Sequence, residues 1–217
     1  MKKLLASSVI AATAFAGVAA PAMADLSANV GYASEYYYRG IYQAESSASA
    51  GVDFETGGFS AGVWSADVED GLEIDVYASY GIELGDLGVS LGYTTYQYTG
   101  EFDTEYNEVN LNLSYGIFSL EVSDGEHEPL AGEGEDEDYL FTALTVEHNG
   151  FYGTYATFSN DWDGDYLELG YGTEIGGFET GFAFIFSQEG LGAEDTEGQL
   201  ADDDEAIIFT LGKTFDL

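Results

Sequence analysis

The 217-residue chain has no cysteine, two prolines, two histidines and four basic residues. Without cysteine there is no disulfide frame and no thiolate metal centre. His127 and His148 are too few for a histidine-built metal site. Two of the four cations, Lys2 and Lys3, sit at the start, which leaves Arg39 and Lys213 against 41 Asp and Glu. Tracking a phosphate backbone requires Lys and Arg, so nucleic acid is excluded as a partner. Beyond the first two dozen residues there is also no apolar run long enough to span a bilayer as a helix.

What the sequence has in quantity is glycine, 29 residues, together with 17 Tyr and 14 Phe. Scarce proline and abundant aromatics suit sheet and argue against disorder. The N-terminus reads as a cleaved secretory signal. Lys2-Lys3 is followed by an Ala-rich apolar run from Leu4 to Ala20. Ala22-Met23-Ala24 then supplies small residues where a signal peptidase looks, so residues 1–24 are expected to be removed before Asp25.

From Asp25 onward, apolar and polar residues alternate in about twelve segments. The clearest sets Leu72, Ile74, Val76, Ala78, Tyr80 and Ile82 against Glu73, Asp75, Tyr77, Ser79, Gly81 and Glu83. The first is read as Leu26 to about Arg39 and the seventh as a short Phe118–Ser123. Two segments lose phase: 59–66, where Val63 and Trp64 compete, and 151–159, with aromatics on both faces. Ten strands are therefore an alternative to twelve. Tight turns are predicted at Gly57-Gly58, Gly85-Asp86, Gly116, Asn149-Gly150 and Gly176-Gly177. Longer polar joins are expected at about 40–45, 67–71, 99–104, 125–137, 160–164 and 189–204. Regular alternation of short turns and long loops is the signature of an outer-membrane barrel, with short turns in the periplasm and long loops outside. The predicted fold class is all-β: one antiparallel up-and-down transmembrane barrel over residues 25–217, with both termini periplasmic.

The last stretch, Ile207–Leu217, places Ile207, Phe209, Leu211, Phe215 and Leu217 on one face. Its Gly212, Phe215 and terminal Leu217 resemble the closing-strand signal of bacterial outer-membrane barrels. That resemblance implies recognition by the barrel-assembly machinery and contact with outer-membrane lipid and lipopolysaccharide. Closure predicts pairing with the first strand. Ser34-Glu35-Tyr36-Tyr37-Tyr38-Arg39-Gly40-Ile41-Tyr42-Gln43 resembles the opening motif of the TorF-like family of proteobacterial outer-membrane porins. Gly58–Trp64 and Leu72–Tyr77 are similar to that family's next two landmarks. The resemblance implies an outer-membrane barrel and carries over no catalytic residue.

If the apolar stripe meets lipid, the acids point inward. The candidates for a pore lining are Glu35, Arg39, Glu73, Asp75, Glu108, Glu121 and Glu168. A dry interior does not hold so many ionised carboxylates. An acidic wet lumen would attract cations and repel anions, which predicts passive passage of small cations or solutes. Arg39, placed near the outer end of strand 1 with Glu35 on its face, is either a charge-paired constriction or a salt-bridge strut. The alternative function is a non-conducting barrel whose acidic loops bind divalent cations or partners. Those loops include Glu133, Glu135, Asp136, Glu137 and Asp138, and then Asp202-Asp203-Asp204-Glu205. Asp161-Trp162-Asp163-Gly164-Asp165 resembles part of a calcium loop but lacks the distal Glu, so Asp161, Asp163 and Asp165 are weak candidates for Ca²⁺ or Mg²⁺. No enzyme is expected: His148 is placed at a turn and His127 in a loop, neither with a serine at a useful spacing.

Overall fold

The computed structural model describes residues 24–129, 135–188, 191 and 204–217. All but Ala24 of the expected signal at residues 1–24, and the acidic residues Glu133, Asp202 and Asp203, lie outside the described residues. Twelve antiparallel strands form a closed barrel, and two short strands form a separate hairpin. In chain order these are β1 (Asp25–Ala33), β2 (Tyr36–Tyr38), β3 (Ile41–Ala44), β4 (Ser47–Thr56), β5 (Phe59–Val68), β6 (Gly71–Leu84) and β7 (Leu87–Tyr98). Then come β8 (Glu105–Tyr115), β9 (Phe118–Glu128), β10 (Glu137–His148), β11 (Phe151–Asn160), β12 (Asp165–Ile175), β13 (Phe178–Ser187) and β14 (Asp204–Asp216). Each wall strand pairs with its sequence neighbour once the hairpin is set aside. The strand number is twelve, not ten.

At one end, five two-residue turns join β4–β5, β6–β7, β8–β9, β10–β11 and β12–β13. Each opens on a left-handed residue: Gly57, Gly85, Gly116, Asn149 and Gly176 have φ between 54° and 72°. That backbone matches the twist of the flanking strands, which is why these short joins close hairpins cleanly. The opposite end carries the longer connections with one exception. β5 and β6 run on to Val68 and Gly71, so the expected loop at 67–71 is only Glu69-Asp70. The parity of loop lengths is thus broken at this join.

The seam forms as expected between the first and last wall strands. β1 pairs with β14 from Ser27↔Asp216 to Ala33↔Thr210, and its other edge pairs with β4 from Asp25↔Glu55 to Ala33↔Ser47. The Leu217 amide donates to the Leu26 carbonyl at 2.9 Å, so pairing continues to the last residue. No edge is left open, and every wall strand finds its hydrogen bonds inside the barrel.

Alternation then decides which side chains meet the outside. Leu26, Val30, Val52, Leu72, Val76, Leu91, Leu144, Phe182 and Phe184 all point outward and are exposed. Such an apolar exterior on a closed sheet suits the hydrocarbon of a bilayer. The two strands of uncertain phase are settled by burial. Val63 is 47% exposed and Trp64 7%; Tyr155 is 52% exposed and Phe158 3%. Both buried rings pack inside, against the material that fills the lumen.

That filling is the main departure from the sequence expectation. Strand 1 was expected to run on to Arg39, but it stops at Ala33, and residues 34–46 fold back into the barrel. Ser34 fixes the departure point: its amide donates to the Phe209 carbonyl at 2.9 Å, and the Phe209 amide donates to its Oγ at 2.8 Å. The inward hairpin β2–β3 turns at Arg39 and Gly40, both left-handed with φ of 50° and 83°. Two apolar clusters hold it. Tyr36 and Ala44 pack with Trp64, Ala66 and Val68. Tyr37 packs into a group that includes Phe141, Phe158, Tyr166, Ile185 and Ile208.

Candidate functional site

The hairpin delivers Arg39 to the middle of the lumen. Its guanidinium takes Glu108 in a two-pronged pair, Nη1 to Oε2 at 2.7 Å and Nη2 to Oε1 at 2.9 Å. Nη2 also donates to Glu121 Oε1 at 2.7 Å and to Ser123 Oγ at 3.2 Å. The planar face lies 4.2 Å from the centre of the Phe141 ring. A fork with five donors on a delocalised cation can satisfy several oxygens and stack at once, which lysine cannot do.

Glu108 is itself surrounded by donors. Tyr96 Oη and Asn110 Nδ2 donate to Oε1 at 2.6 and 2.7 Å, and Tyr139 Oη donates to Oε2 at 3.0 Å. Tyr38 of the hairpin donates to Tyr96 Oη at 2.6 Å and so extends the network into the plug. The backbone of the tip is held as well, because Ser187 Oγ donates to the Gly40 carbonyl at 2.6 Å. A Cβ on Gly40 would stand 2.7 Å from the Tyr166 ring. The turn can therefore pass this ring only as glycine.

Glu73 and Asp75 lie on the inward face of β6, toward the long-loop end. Tyr36 Oη donates to Glu73 Oε1 at 2.8 Å and Tyr98 Oη to Oε2 at 3.3 Å. Asp75 is fully buried, and neither of its carboxylate oxygens has a hydrogen-bond partner. The lumen holds further carboxylates. Asp53 accepts from Asn29 Nδ2 at 3.0 Å and from Tyr77 Oη. Glu168 accepts from Tyr152 Oη at 2.5 Å.

Of the residues expected to line a pore, Glu73, Asp75, Glu108, Glu121 and Glu168 thus lie on the inward face of the wall. Arg39 also lies inside, but on the hairpin tip and not on strand 1. Glu35 is half-buried at the bend where the chain enters the lumen, so it does not share a strand face with Arg39. Arg39 is not the main donor to these acids: Tyr36, Tyr96, Tyr98, Asn110, Tyr139 and Tyr152 supply more of their hydrogen bonds. A signal for the hairpin was present in the sequence, since Arg39-Gly40 separates two aromatic-rich runs at two-residue hairpin spacing.

Other candidates are dispersed. Asp161 Oδ2 accepts from the Asp138 amide, Asp163 Oδ1 from the Gly164 amide and Asp165 Oδ2 from Tyr155 Oη, three separate partners. Among the described residues, no group of three or more His, Cys, Asp or Glu is placed to hold a metal ion. His127 is not in a loop, because β9 extends to Glu128. Its ring stacks on Tyr106 at 4.2 Å, and Nε2 meets Thr104 Oγ1 at 2.7 Å and Asp103 Oδ1 at 3.3 Å. The other ring nitrogen, Nδ1, makes no hydrogen bond and stands 3.6 Å from Glu137 Oε2. At the seam, Gly212 pairs with Gly31, while Phe215 and Leu217 are exposed on the outer face.

A closed twelve-stranded sheet, apolar outside and holding buried carboxylates beside two apolar clusters within, defines a transmembrane β-barrel with an inward-folded plug. The chain belongs to the Gcw_chp family, described as a bacterial protein of unknown function, whose model matches residues 16–215. No curated protein matches the chain by sequence. Among solved structures, one from work on the in-meso crystallization of membrane proteins is 10% identical, with a TM-score of 0.58 over 89% of this chain and 84% of its own. OprD of Pseudomonas aeruginosa is 14% identical, with a TM-score of 0.42 over 89% of this chain and 67% of its own. The outer membrane protein OpdK of Pseudomonas aeruginosa is 14% identical, with a TM-score of 0.39 over 80% of this chain and 58% of its own. This chain thus spans under two thirds of the length of OpdK.

Proposed function

We propose that the protein is a porin-like channel of the bacterial outer membrane, exported with loss of residues 1–24 and oriented with both termini in the periplasm. It gives small cations or solutes passive passage through a lumen narrowed by the inward hairpin. The resemblance of residues 34–43 to the TorF-like opening motif supports the same reading. The observation that carries it is the charge of the lumen: Glu73, Asp75, Glu108, Glu121 and Glu168 face inward from the wall, and Arg39 enters from the plug. Carboxylates along a passage raise the local concentration of cations and exclude anions. Arg39, tied to two of those acids, marks the constriction.

The test is conductance in planar bilayers under a salt gradient. Cation preference appears as a reversal potential of the matching sign. Correctly folded protein that forms no channels, both as wild type and with residues 35–44 replaced by a short glycine–serine link, would sink the reading. The burial of Tyr36, Arg39, Gln43 and Ala44 favours a second reading, a barrel closed by its plug. Conductance that appears only in the linked variant supports this closed state of the same channel.

A further inference from the structure

Glu73 and Asp75 are two residues apart on β6, so both side chains point into the lumen, and both are 0% exposed. Glu73 is held by Tyr36 and Tyr98, whereas no donor reaches either oxygen of Asp75. The nearby guanidinium of Arg39 is taken up by Glu108 and Glu121. An ionised carboxylate with no counter-charge is among the most costly groups to bury. The walls beside Asp75 are aromatic: Trp64 on β5 and Tyr96 on β7 stand opposite it in the sheet register, and Tyr36 packs against Trp64 with ring centres 6.1 Å apart.

We propose that Asp75 and Glu73 form a lumenal binding site for one monovalent alkali-metal cation, seated between β6 and the inward hairpin. The pair supplies formal charge and oxygen ligands, and the rings of Trp64, Tyr36 and Tyr96 offer negative π faces to a dehydrated cation. A divalent ion fits the niche poorly. Calcium takes six to eight oxygens and magnesium keeps several waters, and rings supply neither. This inference rests on reading the acidic lumen as a cation path, and it adds a fixed station on that path. It also explains how a charged pair is tolerated beneath the plug, because a bound cation stabilises the folded state in proportion to its occupancy.

The experiment is thermal unfolding of the purified full-length barrel in detergent, at fixed pH and fixed ionic strength, with choline chloride replaced stepwise by potassium or sodium chloride. The wild-type midpoint is expected to rise by several degrees as the small cation replaces choline. Asp75→Asn, nearly isosteric and without the buried charge, should give a flat response, and Glu73→Gln a weakened one. Glu135→Gln, an exposed acid outside the lumen, should respond like wild type. An equal alkali response in Asp75→Asn overturns the site, as does a wild type that responds only to calcium or only to pH. Bilayer silence with the alkali response intact would sink the channel reading and leave the site standing. Conductance without any alkali response would do the reverse.

Discussion

Arg39 and Glu108 are 69 positions apart in sequence and meet in a two-pronged pair inside the barrel, each side chain almost completely buried. One comes from the tip of the plug and the other from the wall. The pair is the main polar tie between the two. It sets the depth to which the hairpin enters, because a bidentate fork tolerates little displacement.

Removing one partner should therefore cost more than removing both. Arg39→Ala leaves Glu108 and part of Glu121 without their cation, and a stability loss of about 3–5 kcal/mol is expected for a broken buried pair. Arg39→Ala combined with Glu108→Gln should recover part of that loss. Arg39→Lys should fall between wild type and Ala, since a point-charge ammonium cannot reproduce the fork. Equilibrium unfolding in denaturant checks all three. Equal losses in the single and double variants would show that Glu108 does not need Arg39.

Trypsin gives a direct reading of the plug. Besides Lys2 and Lys3, the only cleavable positions are Arg39 and Lys213. With its side chain 4% exposed, Arg39 should be resistant in the folded barrel. Gly40→Ala must accommodate a side chain at φ +83°, with a Cβ 2.7 Å from Tyr166. A left-handed non-glycine residue costs about 1–3 kcal/mol even without a clash, so the tip should leave its seat. A fragment beginning at residue 40 is expected from Gly40→Ala under conditions where the wild type stays intact. Ser187→Ala, which removes the bond to the Gly40 carbonyl, should give the same fragment more slowly. Rapid cleavage of folded wild type at Arg39 would contradict a seated hairpin.

Trp64 is buried in one interior cluster, and Trp162, in the connection between β11 and β12, is partly buried against the other. In liposomes containing lipids brominated along their acyl chains, wild-type tryptophan emission should be almost unquenched. Val63→Trp places an indole on the outward face next to the buried one and should be strongly quenched. Quenching of the wild type comparable to that of Val63→Trp would mean that β5 has the opposite phase.

The same two neighbours show where local pattern stops being informative. Val63 and Trp64 are both apolar, so either could have faced lipid. Trp64 faces inward because Tyr36 is there to pack against it, and Tyr36 is there only because the chain after Ala33 turns into the lumen. Residues 34–45 continue the mixture of aromatic and polar residues seen in the first strand, so nothing local separates wall from plug. The wall acids were legible because alternation in a closed sheet puts each polar face inside. Their partners were not. Asn110, two residues along the same strand, shares the face of Glu108 by alternation alone, but whether Tyr96 and Tyr139 reach Glu108 depends on how different strands are registered, and the periodicity of one strand carries no information about that.

By itself the sequence determined the repeating elements. The two-residue periodicity and the left-handed turns at one end prescribe antiparallel hairpins with one apolar side, because each is a property of residues adjacent in the chain. Tertiary structure decided what fills the barrel. β1 ends at Ala33 because β4 and β14 occupy both of its edges only that far, with Ser34 bonded to Phe209 at the boundary. Arg39 lies inside because the carboxylates that can hold it sit on β8 and β9, more than sixty residues further along the chain.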